Sequence, residues 1–245
     1  PGPDGRQWLV QVGDRVGNHL ALVYNRNLIP EPPQTTQQMV EMAIENTRST
    51  ESGKQYGLVW NFVEPFFAIT FLTGHGAWVF DESGDPVPNL DTPECVAALE
   101  FLVSLQEEHQ VLPANCDYET ADALFKTGAA AIIINGDWSW GDYLSNDRVE
   151  VALAPLPIVS STGRPMGPMV ATKGYSLNVH AKGKKADAAM KFVEFMTSEE
   201  TQRNFMTKLK TLPSRKSLLD DPILKQDPTL LASAQQMKNG RAMPV

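Results

Sequence analysis

Short runs of β-branched and aromatic residues alternate along the chain with longer stretches whose apolar positions recur every three or four residues. Strands and helices in turn predict an α/β architecture with a mixed, largely parallel sheet flanked by helices. The pattern centres on 129–143, where Ala129-Ala-Ala-Ile-Ile-Ile134 strikes Asn135-Gly136 and then Trp138, Trp140 and Tyr143. A short apolar run without a polar position reads as a strand buried on both faces, followed by a sharp turn into a short helix. Ligands in open α/β sheets sit just beyond the carboxyl ends of such strands, which nominates Asn135 to Tyr143 as cleft residues. Side chains two apart on a helix point to different faces. One tryptophan should therefore meet solvent or ligand and the other the core, the plainer alternative being that both are core residues.

Before this centre, 8–12 and 18–24 read as strands joined through a polar turn, Gly13 to Gly17, and 25–33 as a proline-rich loop. Thr35-Thr-Gln-Gln38 has capping-box spacing for a helix over about 36–48. A turn from Ser49 to Lys54 leads into a strand, Tyr56 to Trp60. That strand delivers Glu64-Pro65-Phe66-Phe67, with Glu64 at or next to an N-cap and Pro65 opening a helix that ends near Gly74-His75-Gly76. Ala77 to Phe80 with Asp81 to Pro86 suggests a surface hairpin. Asp91-Thr-Pro-Glu94 opens a long helix to about His109, with Val96, Leu99, Leu102, Val103 and Leu105 as its apolar face and Glu100, Glu107 and Glu108 opposite. Asp117-Tyr118 precedes a helix closed by Gly128.

After the centre the pattern predicts a strand from Arg148 to Leu153, an exposed loop over 160–165 and a strand from Gly174 to Val179. A helix follows from Lys184 to Met196, and Thr197-Ser-Glu-Glu200 reads as a capping box for the next, to about Leu209. Asp227-Pro228 caps a last helix that Gly240 stops.

Composition narrows the function classes. The 245 residues are 42% hydrophobic and 20% charged, ordinary for a globular protein, and no stretch approaches the roughly 18 apolar residues of a membrane span. A net charge of −8, with only Lys182, Lys184 and Lys185 close together, argues against nucleic acid. The opening Pro1-Gly-Pro-Asp-Gly5 has no signal-peptide pattern. Cys95 and Cys116 lack metal-ligand spacing, and His19, His75, His109 and His180 are dispersed, so no metal or cofactor is expected; a disulfide between the cysteines stays open. No GxSxG, HExxH, P-loop or GxGxxG motif occurs. Strand ends instead carry aromatics beside polar groups: Glu64, Phe66 and Phe67, then Tyr118, then Trp138. Flat rings with a few directed hydrogen bonds suit sugars, which have apolar C–H faces and hydroxyl rims. A glycoside hydrolase using carboxylates such as Glu64 and Asp137 is the rival from another class.

Several ordered segments resemble one family. Ala21-Leu-Val-Tyr-Asn25, Leu28-Ile-Pro-Glu-Pro-Pro33, Trp60-Asn61 with Glu64-Pro65-Phe66-Phe67, Asp117-Tyr118, Ile134-Asn-Gly-Asp-Trp-Ser-Trp140 and Gly240-Arg-Ala-Met-Pro244 are similar to the maltose/maltodextrin-binding proteins, extracellular components of bacterial ABC sugar importers. The resemblance implies a periplasmic-binding-protein-like fold, two α/β lobes hinged over a sugar, no catalysis, an ABC permease as partner, and a periplasmic or cell-surface location. Within it Glu64 corresponds to a hydrogen-bonding carboxylate, Phe66 and Trp138 to aromatic platforms and Tyr118 to a sugar-contacting tyrosine; Phe67 and Asn18 complete the expected sugar-binding set. Phe66 stands where the best-known member has tyrosine, and Asn18 where it has glutamate. Trehalose or another glucoside is the alternative solute. The resemblance implies 1–17 as the inter-lobe hinge strand region, 18–165 as the second lobe, 166–215 as part of the first, and 216–245 as a return to the second lobe and hinge. The family's opening βαβ units and closing helices have no counterpart, which reads as a fragment that could form a swapped homodimer.

Overall fold

The computed structural model describes residues 12–51, 53–81 and 87–243. A five-stranded sheet holds the centre, in the order β3-β4-β5-β2-β6. Its strands are β2 (Leu20–Asn25), β3 (Arg48–Thr50), β4 (Gly53–Val59), β5 (Ala130–Gly136) and β6 (Val151–Ala154). A smaller sheet is ordered β8-β1-β7-β9, from β1 (Val12–Gly17), β7 (Met169–Tyr175), β8 (Leu212–Pro213) and β9 (Arg241–Ala242).

The mixed α/β architecture stands, but the parallel share is smaller than expected. Strands β4 and β5 pair in parallel, while β2 lies antiparallel between β5 and β6. So β4, β5 and β6 do run one way, as strand–helix alternation implies, yet β2 separates two of them. An edge strand, β3, pairs antiparallel with β4, and much of the turn expected over Ser49 to Lys54 is therefore strand.

Alternation along β2 and β5 builds two cores at once, because successive side chains point to opposite faces. Leu20, Leu22, Tyr24, Ile132 and Ile134 enter one cluster with Trp60, Phe67 and Phe71. Ala21, Val23 and Ile133 enter another with Phe125, Trp140 and Tyr143. Helices α1 (Thr36–Asn46), α2 (Pro65–His75) and α3 (Pro93–Glu107) supply residues to the first cluster; α4 (Tyr118–Lys126) and α5 (Trp140–Leu144) supply the second. Local signals set the boundaries: Thr35 caps α1 by accepting from the Gln38 amide, and Asp117 caps α4 by accepting from Thr120. Gly76 closes α2 in the left-handed region at φ 98°.

Other expectations need correction. Residues 13–17 are strand β1 rather than a polar turn, its ladder running along β7; of the strand expected over 8–12, all but Val12 lies outside the described residues. The strand expected from Gly174 to Val179 is β7 at Met169–Tyr175, its register fixed by β1. Ser198, not Thr197, caps the helix Glu199–Leu209. On α3 the expected apolar face is divided: Leu105 is buried and Leu102 packs against the first core, but Val96, Leu99 and Val103 are more than half exposed, and Cys95 and Ala98 are buried in their place. Small Cys95 and Ala98 join Leu72 and Ala77 in one cluster, so α3 packs closely on α2 through its least bulky side. The hairpin flanks do pair, Asp81 N–H donating to Val87 and Asn89 N–H to Val79; 82–86 lie outside the described residues.

The rest of the chain adds α6 (Lys184–Met196), α7 (Glu199–Leu209), α8 (Pro222–Gln226), which sequence reading missed, and α9 (Pro228–Lys238). Helix α9 is clasped to the large sheet: buried Gln236 accepts from Leu156 N–H and donates to Met166 C=O, and Ser233 meets His19 Nε2 at 3.0 Å. Cys95 and Cys116 are both buried free thiols, in separate clusters. Burial pushes the Cys116 thiol up to about 11. No helix among the described residues is long and apolar enough to cross a membrane.

Candidate functional site

The carboxyl ends of β4 and β5 lie side by side, so the segments leaving them meet at one edge of the sheet. From β4 comes Glu64, N-cap of α2, with Pro65 at the first helical position. Its side chain makes no capping bond; Asn61 Nδ2 donates to Glu64 Oε2 at 3.1 Å instead. The carboxylate is thus steered by a buried amide and left at the surface. Phe66 and Phe67 follow, ring centroids 5.8 Å apart and mutually perpendicular; Phe67 is buried and Phe66 half-buried.

From β5 comes the tryptophan pair, which divides as one of the two sequence readings required. Trp140 is fully buried, its indole N–H reaching Asn135 C=O, with His19 packed edge-on at 5.1 Å. Trp138 is 39% exposed. Its ring lies so close over Gly136 that a Cβ there would fall 2.1 Å from it, so glycine is required. Trp138 Nε1 donates to Tyr118 Oη at 3.0 Å, and Phe66 and Phe67 lie 6.3 and 6.4 Å from the indole. Four aromatic residues thereby form one wall, with Phe67 supporting it from the core.

Asn18 closes the site from the junction of β1 and β2, in the left-handed region at φ 56°. The residue is held there by its own N–H, which donates to Asp137 Oδ1 at 3.0 Å. Asp137 is buried, its other oxygen against Gly17, where a Cβ would stand 2.1 Å away. The carboxylate that a hydrolase would pair with Glu64 is thus engaged in holding the Gly17-Asn18 turn.

Asn18, Glu64, Phe66, Phe67, Tyr118 and Trp138, each nominated from sequence, line one open cavity of about 340 Å³. Lys173 is the seventh lining residue, its Nζ 5.4 Å from the Trp138 ring centroid. Nothing in the sequence flagged it, because β7 reaches the site only through the long-range pairing of β7 with β1. A recess with an aromatic wall and a sparse rim of carboxylate, amide, hydroxyl and ammonium fits a flat, hydroxyl-bearing ligand. Among the described residues no three His, Cys, Asp or Glu side chains are grouped to hold a metal ion.

Known proteins share this fold. The maltose/maltodextrin-binding domain from Bdellovibrio bacteriovorus, solved with maltotriose, is 39% identical with a TM-score of 0.88, covering 100% of this chain and 64% of that one. The maltotriose-binding protein of Thermus thermophilus, also solved with maltotriose, is 26% identical with a TM-score of 0.83, over 96% and 61%. Among curated proteins, the maltotriose-binding protein of Pyrococcus abyssi is 28% identical over 227 residues, 92% of this chain and 48% of its own. The chain thus spans about half the length of the curated relative and less than two thirds of either structure. Residues 15–232 match the sequence model of the bacterial extracellular solute-binding proteins, and the chain belongs to that family.

Proposed function

We propose that this chain is the sugar-contacting part of a solute-binding protein for maltodextrin-type oligosaccharides, serving a bacterial ABC importer without catalysis. The observation that carries this reading is the recess itself, where the four aromatic residues face a rim of Glu64, Asn18 and Lys173. Trp138 and Phe66 offer ring faces to the C–H surfaces of a glucose unit, while Glu64 accepts and Lys173 donates hydrogen bonds at its hydroxyls. Phe67 and Tyr118 hold the platform, and Asn18 sets the rim nearest β1. The relatives solved with maltotriose support the solute class. An exported setting follows from the family, and a permease is the partner such a protein serves.

The lobe division read from the sequence is retained as part of the proposal: 1–17 the hinge strand region, 18–165 the second lobe, 166–215 part of the first, and 216–245 the return. The clasp of α9 on 19, 156 and 166 supports that return. Phe192 and Phe195, exposed on α6, are the surface a swapped second copy would cover. Calorimetry of the chain with maltose, maltotriose, trehalose and galactose-based oligosaccharides tests the reading. Binding led by the maltodextrins is expected; reducing ends released from them would overturn it, and preference for trehalose would change the solute and keep the rest. Light scattering on a sizing column reads the dimer.

A further inference from the structure

The two ends of α2 carry different chemistry. Its first turn belongs to the recess already described, while its last residue, His75, stands about 16 Å further along the helix from Glu64. There His75 borders a separate cavity of about 410 Å³, between α1, α3 and the chain after β6, which shares no lining residue with the recess. Val40, Ile44, Phe101 and Val159 give it apolar walls. Val40 and Val159 are buried, and Ile44 is half exposed at the rim.

The decisive group is His75. Its side chain is 7% exposed, and Nδ1 lies 2.9 Å from the Phe71 carbonyl oxygen. A carbonyl only accepts, so Nδ1 carries the hydrogen and Nε2 of the neutral ring is left as an acceptor. Nε2 has no partner among the described residues and is not fully enclosed, so it opens on the cavity that the ring lines. An acceptor at an otherwise apolar wall calls for a donor. Phe101 lies 5.8 Å from the imidazole, the two planes inclined at 41°, and offers a flat ring a face beside that nitrogen. Charge narrows the choice further. The described lining residues include the Glu41 carboxylate and the His109 imidazole but no lysine or arginine, so no fixed positive charge there attracts an anion.

We propose that this cavity is a second binding site, for a neutral aromatic molecule with one N–H or O–H donor, of the indole or phenol kind. The ring packs against Phe101, Val40 and Val159, and the donor bonds to His75 Nε2. The site stands apart from the sugar recess and does not depend on what that recess binds.

Saturation-transfer NMR titrations of the 245-residue chain at pH 8 with indole, 1-methylindole and indole-3-acetate test this. Indole is expected to bind about fivefold more tightly than 1-methylindole, which has no N–H, and more tightly than the carboxylate-bearing probe. His75→Phe keeps a ring and removes the acceptor, so it should erase the preference for indole over 1-methylindole. Ile44→Gln, at a half-exposed position, should weaken both neutral probes. Trp138→Ala strips the sugar recess of its platform and should leave the indole affinity within about twofold of wild type. The proposal is overturned by a wild type that binds no indole, that binds indole and 1-methylindole equally, or that prefers indole-3-acetate. It is overturned equally by a preference that survives His75→Phe, or by Ile44→Gln without effect. Indole binding lost in Trp138→Ala would put the probe in the sugar recess and likewise overturn it. Should His75→Phe not fold, the wild-type comparison and Ile44→Gln decide the matter.

Discussion

In the five-stranded sheet, β2 and β5 bury every residue on both faces, whereas in the four-stranded sheet β7 buries Met169 alone and leaves its other six residues partly covered or exposed. The helices follow their sheets. Phe67 and Phe71 of α2 vanish into the larger core, while α6 buries only Val193 and leaves Phe192 51% and Phe195 64% exposed. A sheet is finished when helices cover both its faces, and the larger one meets that condition with residues from 20 to 166. After 166 the chain gathers a compact cluster of Met206, Leu212, Leu218, Leu224 and Leu230, yet its sheet and α6 keep apolar surface in water. The candidate site sits at the seam, with Glu64, Phe66, Tyr118 and Trp138 from the closed region and Lys173 from the open one. The closed region supplies the aromatic wall and the Glu64 carboxylate, and the second sheet adds the Lys173 ammonium.

The strongest test of the contrast removes a ring from the closed core. Trp140→Ala should cost about 3–5 kcal/mol of stability, because the fully buried indole leaves a void beside His19 and loses its bond to Asn135. Urea unfolding measures it. A loss below about 1 kcal/mol would mean that the site's supporting layer is not the tight core that its burial indicates.

Acid should act on the same layer. Burial, helped by the Lys173 charge, holds the His19 imidazole down at about 4 against its usual 6.5. The unfolded chain takes up its proton as pH falls below about 6.5, while the folded chain resists until about 4. Stability is therefore complete above pH 6.5 and declines on acidification through that window, by about 3 kcal/mol in all. His19→Gln should flatten this limb of the pH–stability curve, and an unchanged slope would assign the acid sensitivity to other groups.

At the seam, effects should appear in binding rather than stability. Trp138→Ala is expected to weaken maltotriose by about 1–3 kcal/mol with little change in the urea midpoint, the reverse of Trp140→Ala. Glu64→Gln keeps the shape but turns a charged acceptor into a neutral one, for a loss of about 1 kcal/mol. If Glu64→Gln binds as the wild type does, the carboxylate serves only the start of α2.

The smallest effect belongs to the open region. Phe195→Ser should change stability by less than about 0.5 kcal/mol, since the ring is mostly in water. A larger loss that grows with protein concentration would mean that a second copy covers α6, and the contrast between the regions would then vanish in solution.

Local chemistry made much of this legible beforehand. The caps at Thr35, Asp117 and Asp227, Pro65 at the start of α2 and Gly76 and Gly128 at helix ends act through neighbouring backbone, so their residue types announce them. The split between Trp138 and Trp140 was one of two readings that spacing left open, and six lining residues of the recess were named through strand ends and family resemblance. These features depend on atoms within a few residues of each other, or on a pattern that the family carries.

Tertiary structure decided the rest. Helix α3 is apolar on more than one side, so its sequence could not say that small Cys95 and Ala98, rather than Val96, Leu99 and Val103, would face α2. The insertion of β2 between β5 and β6 is a choice among long-range pairings that each strand's own sequence permits equally. Lys173 reaches Trp138 for the same reason: 35 positions along the chain, it is brought there by sheet register, which the residue itself does not spell out. Burial of a side chain is settled by what the whole chain places beside it, and periodicity reports only which residues share a face.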